Sequence, residues 1–255
     1  MKRFRPPAHA PLAPSSAKRW MSCPGSIAAE RDAPPLEETS SFADEGTKAH
    51  ELFARCLTEG RAAPPMVDDP LILRPLALAL DLTRRILGPR RFLTEMRLRP
   101  LPGLPEVWGT SDLIGFSAAG PVDIIVDLKF GAGLVVEADE VQLGIYALLA
   151  GHAYGTSPDG ITAWIVQPRC DHPDGPARSY HYSPDALRAL EAALRSAAAS
   201  TTAPAVPRRA GSWCRFCAAA GTCPTKEQAP DAIPRMPSAL FRPGPRWFAA
   251  EASHA

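Results

Sequence analysis

The spacing of apolar positions changes several times along the chain, and each change predicts an element. Ser15 and Ser16 precede a run that predicts a capped helix toward Arg31, and helical spacing returns over about 43–59, with Gly60 as its stop. A further helix over about 70–87 carries Pro75, which predicts an interruption. Four runs of strand character follow, FLTEMRLR, VWGTSDLIGF, VDIIVDLKF and GLVVEA, joined by short Gly/Pro turns as in a meander. A helix is predicted from about Asp139 to Ala153, then the strand ITAWIVQP and a strand at RSYHY. Last comes the helix PDALRALEAALRSAAA, whose Leu187, Leu190 and Leu194 form a buried stripe. This order predicts an α/β or α+β domain around a mixed sheet.

The 29 prolines gather at 1–14, 64–75, 100–105, 168–176, 204–207 and beyond 224, which places the loops there. At 255 residues the chain is sized for one main domain, over about 9–224. Within it lie N-terminal helices (15–88), a sheet and helix (91–182), and a last helix with a cysteine group (183–224). Residues 225–255 read as a flexible Pro-rich tail. The basic start lacks the apolar segment of a secretory signal, and no apolar run approaches the ~20 residues of a membrane span, so a cytoplasmic protein without membrane contact is expected. A net charge of +1 gives no global basic field, so a nucleic-acid partner must be held by local groups such as Arg84–Arg85, Arg90–Arg91, Arg97 with Arg99, or Arg208–Arg209 beside Arg215.

Within IIVDLKFG the pattern breaks, because Asp127 and Lys129 occupy one face of an otherwise apolar strand. Asp112, in GTSDLIG, falls on the strand before it, and a tight turn near 118–120 would bring the two carboxylates and the lysine together. Desolvated carboxylates need a cation nearby, and an oxygen-rich site suits magnesium or manganese. Taken alone, the Asp-x-Lys triplet is more simply a salt bridge. Gln142 and Tyr146, on one face of the next helix, and Glu45 and His50, in EGTKAH, widen the constellation. Cys214, Cys217 and Cys223 form C-x2-C-x5-C with Cys23 far upstream, a spacing that favours a structural zinc or an iron–sulfur cluster over disulfides in a cytosolic chain. Cys56 and Cys170 read as ordinary thiols.

The ordered series His50, Asp112 in GTSD, Asp127-Leu-Lys129 and Gln142-x3-Tyr146 resembles the PD-(D/E)XK nuclease superfamily in its RecB-like branch. With the four cysteines it is similar to the iron–sulfur members, the CRISPR-associated adaptation nucleases and AddB-type subunits among them. HAPLAPSSAKRW, SCPGS and EGTKAH look closer still to an uncharacterised phage and prophage family. The resemblance spans about 9–224 and implies a restriction-endonuclease-like core. It implies that His50, Asp112 and Asp127 bind Mg2+ or Mn2+, with Glu45 and Glu95 as secondary candidates, and that Lys129 assists the attacking water. Gln142 and Tyr146 would contact substrate or support the site, and Cys23, Cys214, Cys217 and Cys223 would ligate a [4Fe–4S] cluster, with zinc as the alternative. The expected activity is a DNA exonuclease acting on ends or single strands in phage replication, recombination or repair. The chain has no P-loop, so unwinding would need a helicase or recombination partner. The alternative is a non-catalytic iron–sulfur adaptor that binds nucleic acid.

Overall fold

A computed structural model describes residues 10–34, 41–62, 70–132 and 134–226. The tail predicted at 225–255 lies outside the described residues from 227 onward. Five strands, β1 (Arg91–Leu98), β2 (Gly109–Phe116), β3 (Val122–Leu128), β4 (Ile161–Val166) and β5 (Ala177–Tyr182), form one sheet in sequence order. All neighbouring pairs are antiparallel except β3 with β4, which is parallel and is bridged by the crossover helix α5 (Val141–Tyr154). The protein is α+β, a mixed sheet flanked by helices.

Strand alternation divides the core. Ile114 and Ile125 point toward α5, α1 (Ala17–Ser22) and α6 (Pro184–Ser200). Leu113, Ile124, Val126 and Leu128 point the other way, onto α3 (Ser41–Thr58) and α4 (Pro70–Leu87). Helix α5 is apolar on all sides and buried from Leu143 through Gly151, as a helix between two layers must be. Gly144 permits this: a Cβ there would lie 2.6 Å from Leu190 Cδ2 and 3.0 Å from the Tyr182 ring.

Three expectations need correction. The helix expected from Ser15 or Ser16 to Arg31 is a short 3-10 turn (Pro14–Ser16), then α1, then α2 (Ser26–Arg31). Pro24 cannot supply the N–H that would carry the helix through. Ser16 does not cap, since its hydroxyl donates to the Ala13 carbonyl at 3.2 Å. Pro75 leaves α4 continuous, because Leu76, Ala79, Leu80 and Ile86 press the helix onto the core on the far side of the proline. Residues 134–138 of GLVVEA form no strand, so the antiparallel run has three strands. Side chains take the place of a ladder there: Gln167 Oε1 accepts the Val136 N–H (3.1 Å), Gln167 Nε2 donates to the Leu134 carbonyl (2.6 Å), and buried Arg178 donates to the Val136 carbonyl (2.7 Å).

Candidate functional site

The β2–β3 ladder runs from Phe116↔Val122 to Leu113↔Val126 and stops. Asp112 and Asp127 are the next residue on each strand, both buried. Asp112 fastens the end of the ladder with its side chain: Oδ2 accepts the Leu128 N–H at 2.7 Å, and Oδ1 lies 3.2 Å from His50 Nδ1 on α3. The two helical layers thus contribute to one site, His50 from one side of the sheet and α5 from the other.

From α5, Gln142 spans the second carboxylate and its cation. Its Nε2 donates to Asp127 Oδ1 (3.2 Å), its Oε1 accepts from Lys129 Nζ (3.0 Å), and Lys129 Nζ lies 2.8 Å from Asp127 Oδ2. Burial pushes the Asp127 carboxyl up, with Asp112 adding to the effect against the pull of Lys129. Burial would lower the Lys129 ammonium, but Asp127 outweighs it and holds the pKa above the ordinary lysine value, so the side chain is a cation at neutral pH. Tyr146, one turn beyond Gln142, is raised by burial and by Asp127, which keeps its hydroxyl a neutral donor.

Glu95 on β1 completes the group. It is the one non-glycine among the described residues with positive φ, at 50°, and the paired positions pass from Thr94↔Leu113 to Met96↔Ser111 without it. Such backbone costs about 1–3 kcal/mol and gathers at functional sites. His50, Glu95 and Asp112 each offer a ligand atom within 4.8 Å of the others. Among the expected ligands, Asp127 stands beside this trio with its cation, and Glu45 is drawn away into an ion pair with Arg169 at 2.5 Å. Glu95, expected as a secondary candidate, lies with His50 and Asp112 in this trio. The available signal was its acidity in mid-strand, on the face that a hairpin sets opposite Asp112.

The donor set suits a hard divalent ion. It offers carboxylate oxygens with one imidazole, and Asp127 Oδ2 is buried with no well-directed hydrogen-bond donor. His50 is raised: burial opposes its charge, but the hydrogen bond and charge of Asp112 prevail. Partial desolvation at the mouth of the site, then the Asp112 charge, lift the exposed Glu95 to about 6. A raised carboxyl favours the folded metal-free protein at low pH, and that contribution is lost as pH rises through about 6. Ligation requires the proton to leave, so Mn2+ binding followed by titration calorimetry is expected to tighten between about pH 5 and pH 7, with proton release. Binding that is flat across this range would remove Glu95 and His50 from the ligand set.

The cysteines converge elsewhere, where the two ends of the domain meet. All six are free thiols, and Cys23, Cys214, Cys217 and Cys223 line one small cavity with Arg19, Arg208, Arg209 and Lys226 around it. The surroundings are cationic, as an anionic thiolate cluster requires. Backbone contacts hold the segments together: the Arg209 N–H donates to Cys23 Sγ (3.2 Å), and the Gly25 N–H donates to the Pro207 carbonyl (3.0 Å). A Cβ at Gly25 would meet Arg208 Cγ at 2.7 Å, so only glycine allows this approach. Arg19 donates to the Phe216 carbonyl (2.8 Å) and pairs with Glu30 (2.6 Å), whose other oxygen accepts the Ala218 N–H (2.9 Å). Four unbridged thiols facing one cavity fit a tetrathiolate zinc or an iron–sulfur cluster. Cys56 is buried in the core beside α4, and Cys170 sits in a loop, both away from this group.

A family model described as "Protein of unknown function (DUF2800)" matches residues 9–68 and 87–239. The chain belongs to this family. Every residue of the two constellations falls within the DUF2800 stretches, whereas nearly all of α4 falls in the gap between them. Among solved structures, one titled "Crystal structure of SSO0001" is similar at 16% identity and a TM-score of 0.35, covering 82% of this chain and 96% of that one. No helix among the described residues is long and apolar enough to cross a membrane.

Proposed function

We propose that this protein is a metal-dependent DNA nuclease of the PD-(D/E)XK type, in the RecB-like iron–sulfur branch, that hydrolyses phosphodiester bonds from DNA ends. The observation that carries the reading is the closed set Asp112, Asp127, Lys129 and Gln142 at the point where the β2–β3 ladder stops. A sheet has no structural need for two buried carboxylates and a lysine there, and the resemblance assigns these positions to catalysis.

His50, Glu95, Asp112 and Asp127 would hold Mg2+ or Mn2+, which supplies Lewis acidity toward a phosphoryl oxygen and a lowered pKa for a neighbouring water. Lys129, kept protonated by Asp127, would donate to the attacking water or to a phosphoryl oxygen as negative charge grows there. Gln142 would fix the lysine's direction through its Oε1 and the carboxylate's through its Nε2. Tyr146 would support Gln142 from the next turn of α5. Hydrolysis transfers no electrons, so the cysteine-bound group would have a structural role, as a [4Fe–4S] cluster or, alternatively, zinc.

Anaerobically purified protein with Mn2+ is expected to degrade end-labelled linear DNA and to spare circular single strands. Degradation of both would change the reading to endonuclease. Inactivity on every substrate with metal bound would overturn it.

A further inference from the structure

Beside the candidate metal centre, the edge strand β1 carries a second arrangement that the proposed hydrolytic residues do not use. Arg97 lies two residues beyond Glu95 on β1, roughly 7 Å along the strand, and Arg99 follows just past the strand's end. Arg97, Arg99, Pro100, Pro105 and Trp108 line a groove of about 350 Å³. The Arg97 guanidinium sits 4.0 Å over the partly buried Trp108 ring. Among the described residues no carboxylate lies within ion-pair distance of either arginine.

The loop that shapes the groove is built to hold still. Leu101, Leu104 and Val107 are buried in the core, and Leu101 bridges to Leu104 across a turn whose Gly103 has φ 75°. Arg195 on α6 donates to the Pro102 carbonyl at 2.9 Å. Two arginines without a carboxylate partner, a Trp108 ring that Arg97 covers on one face, and two prolines therefore line the groove.

We propose that this groove binds single-stranded DNA, the arginines taking consecutive phosphates and a base stacking on the Trp108 face opposite Arg97, and leads the strand to the candidate metal centre. The destination of the strand rests on the nuclease reading; the mode of binding does not. Aromatic stacking beside a cationic track suits a single strand, whose bases are free. A duplex keeps its bases stacked inside and leaves the indole without a ligand. The whole-chain charge of +1 is too small to collect DNA by itself, which puts the affinity in local groups such as these.

The test is fluorescence anisotropy of a labelled oligo-dT and of a duplex of equal length, without added divalent ion so that no cleavage intrudes, across a salt series. Wild type should prefer the single strand. Arg97→Ala with Arg99→Ala should make the salt dependence shallower by roughly 1.4, at about 0.7 per lost phosphate contact on single strands. Trp108→Ala should weaken binding roughly 5- to 150-fold with the salt slope unchanged, and Trp108→Phe should recover most of it, which a merely structural tryptophan would not allow. Unaltered binding by these folded variants, or equal affinity for duplex, would overturn the proposal. Cleavage by wild type with groove variants unaffected would sink the groove and leave the nuclease reading; groove-dependent binding without any cleavage would do the reverse.

Discussion

Lys129→Met is expected to lower manganese-dependent cleavage by about 10²–10³-fold in single turnover, the usual effect of removing one preorganised donor from developing charge. The same substitution should destabilise the metal-free protein. It strands the buried Asp127 carboxylate, whose pKa burial already raises. Breaking a buried pair costs about 3–5 kcal/mol, and the lower end applies because the Lys129 side chain is 25% exposed. Thermal melts should show this loss without metal and a partial recovery with Mn2+, since the ion returns positive charge beside Asp127. A salt bridge with no further role predicts a different outcome: lower stability with no rescue by Mn2+ and no change in cleavage.

The second large effect belongs to the cysteines. Cys217→Ser is expected to abolish the bound metal group, and Cys23→Ser should do the same from the opposite end of the chain. A structural metal contributes its binding free energy to folding. Its loss should lower the melting temperature by on the order of 10 °C, since each kcal/mol shifts a domain of this size by about 2–4 °C. Iron, acid-labile sulfide and zinc assayed on anaerobically purified protein identify the group: visible colour with iron and sulfide marks a cluster, and a colourless protein with stoichiometric zinc corrects that assignment. Full metal content in Cys23→Ser would remove Cys23 from the ligand set. The contacts of Arg19 and Glu30 with Phe216 and Ala218 do not pass through sulfur, so the C-terminal segment should stay docked in these variants.

Where local periodicity decides an element, it was readable. The strands around Asp112 and Asp127, the helix bearing Gln142 and Tyr146, and the stripe of Leu187, half-buried Leu190 and Leu194 all follow from spacing, as does the shared face of Asp127 and Lys129. Failures came where a distant group decides. GLVVEA has the β-branched, apolar look of a strand, yet Gln167 and Arg178 take its backbone groups. Pro75 reads as a breaker until the apolar stripe on both sides of it is set against the sheet. Strand pairing sets Glu95 opposite Asp112, but its left-handed backbone angle is one that no spacing rule signals in a non-glycine residue. Glu45 has the composition of a ligand and a neighbour, Arg169, 124 residues away that claims it.

The stitching of the first helices to the last segment also orders events at the ribosome. Cys23 meets a backbone amide 186 residues downstream, and Glu30 meets one 188 residues downstream. At about 5–20 residues per second, α1 and α2 wait roughly 10–40 s for those partners to be synthesised. The sheet and α5 can form in that interval, whereas the cysteine cavity cannot close until translation has passed Cys223. The junction between the two ends therefore forms after the sheet, and a nascent protein cut short before residue 214 would hold every residue of the carboxylate site while Cys23 and Glu30 still lacked these partners.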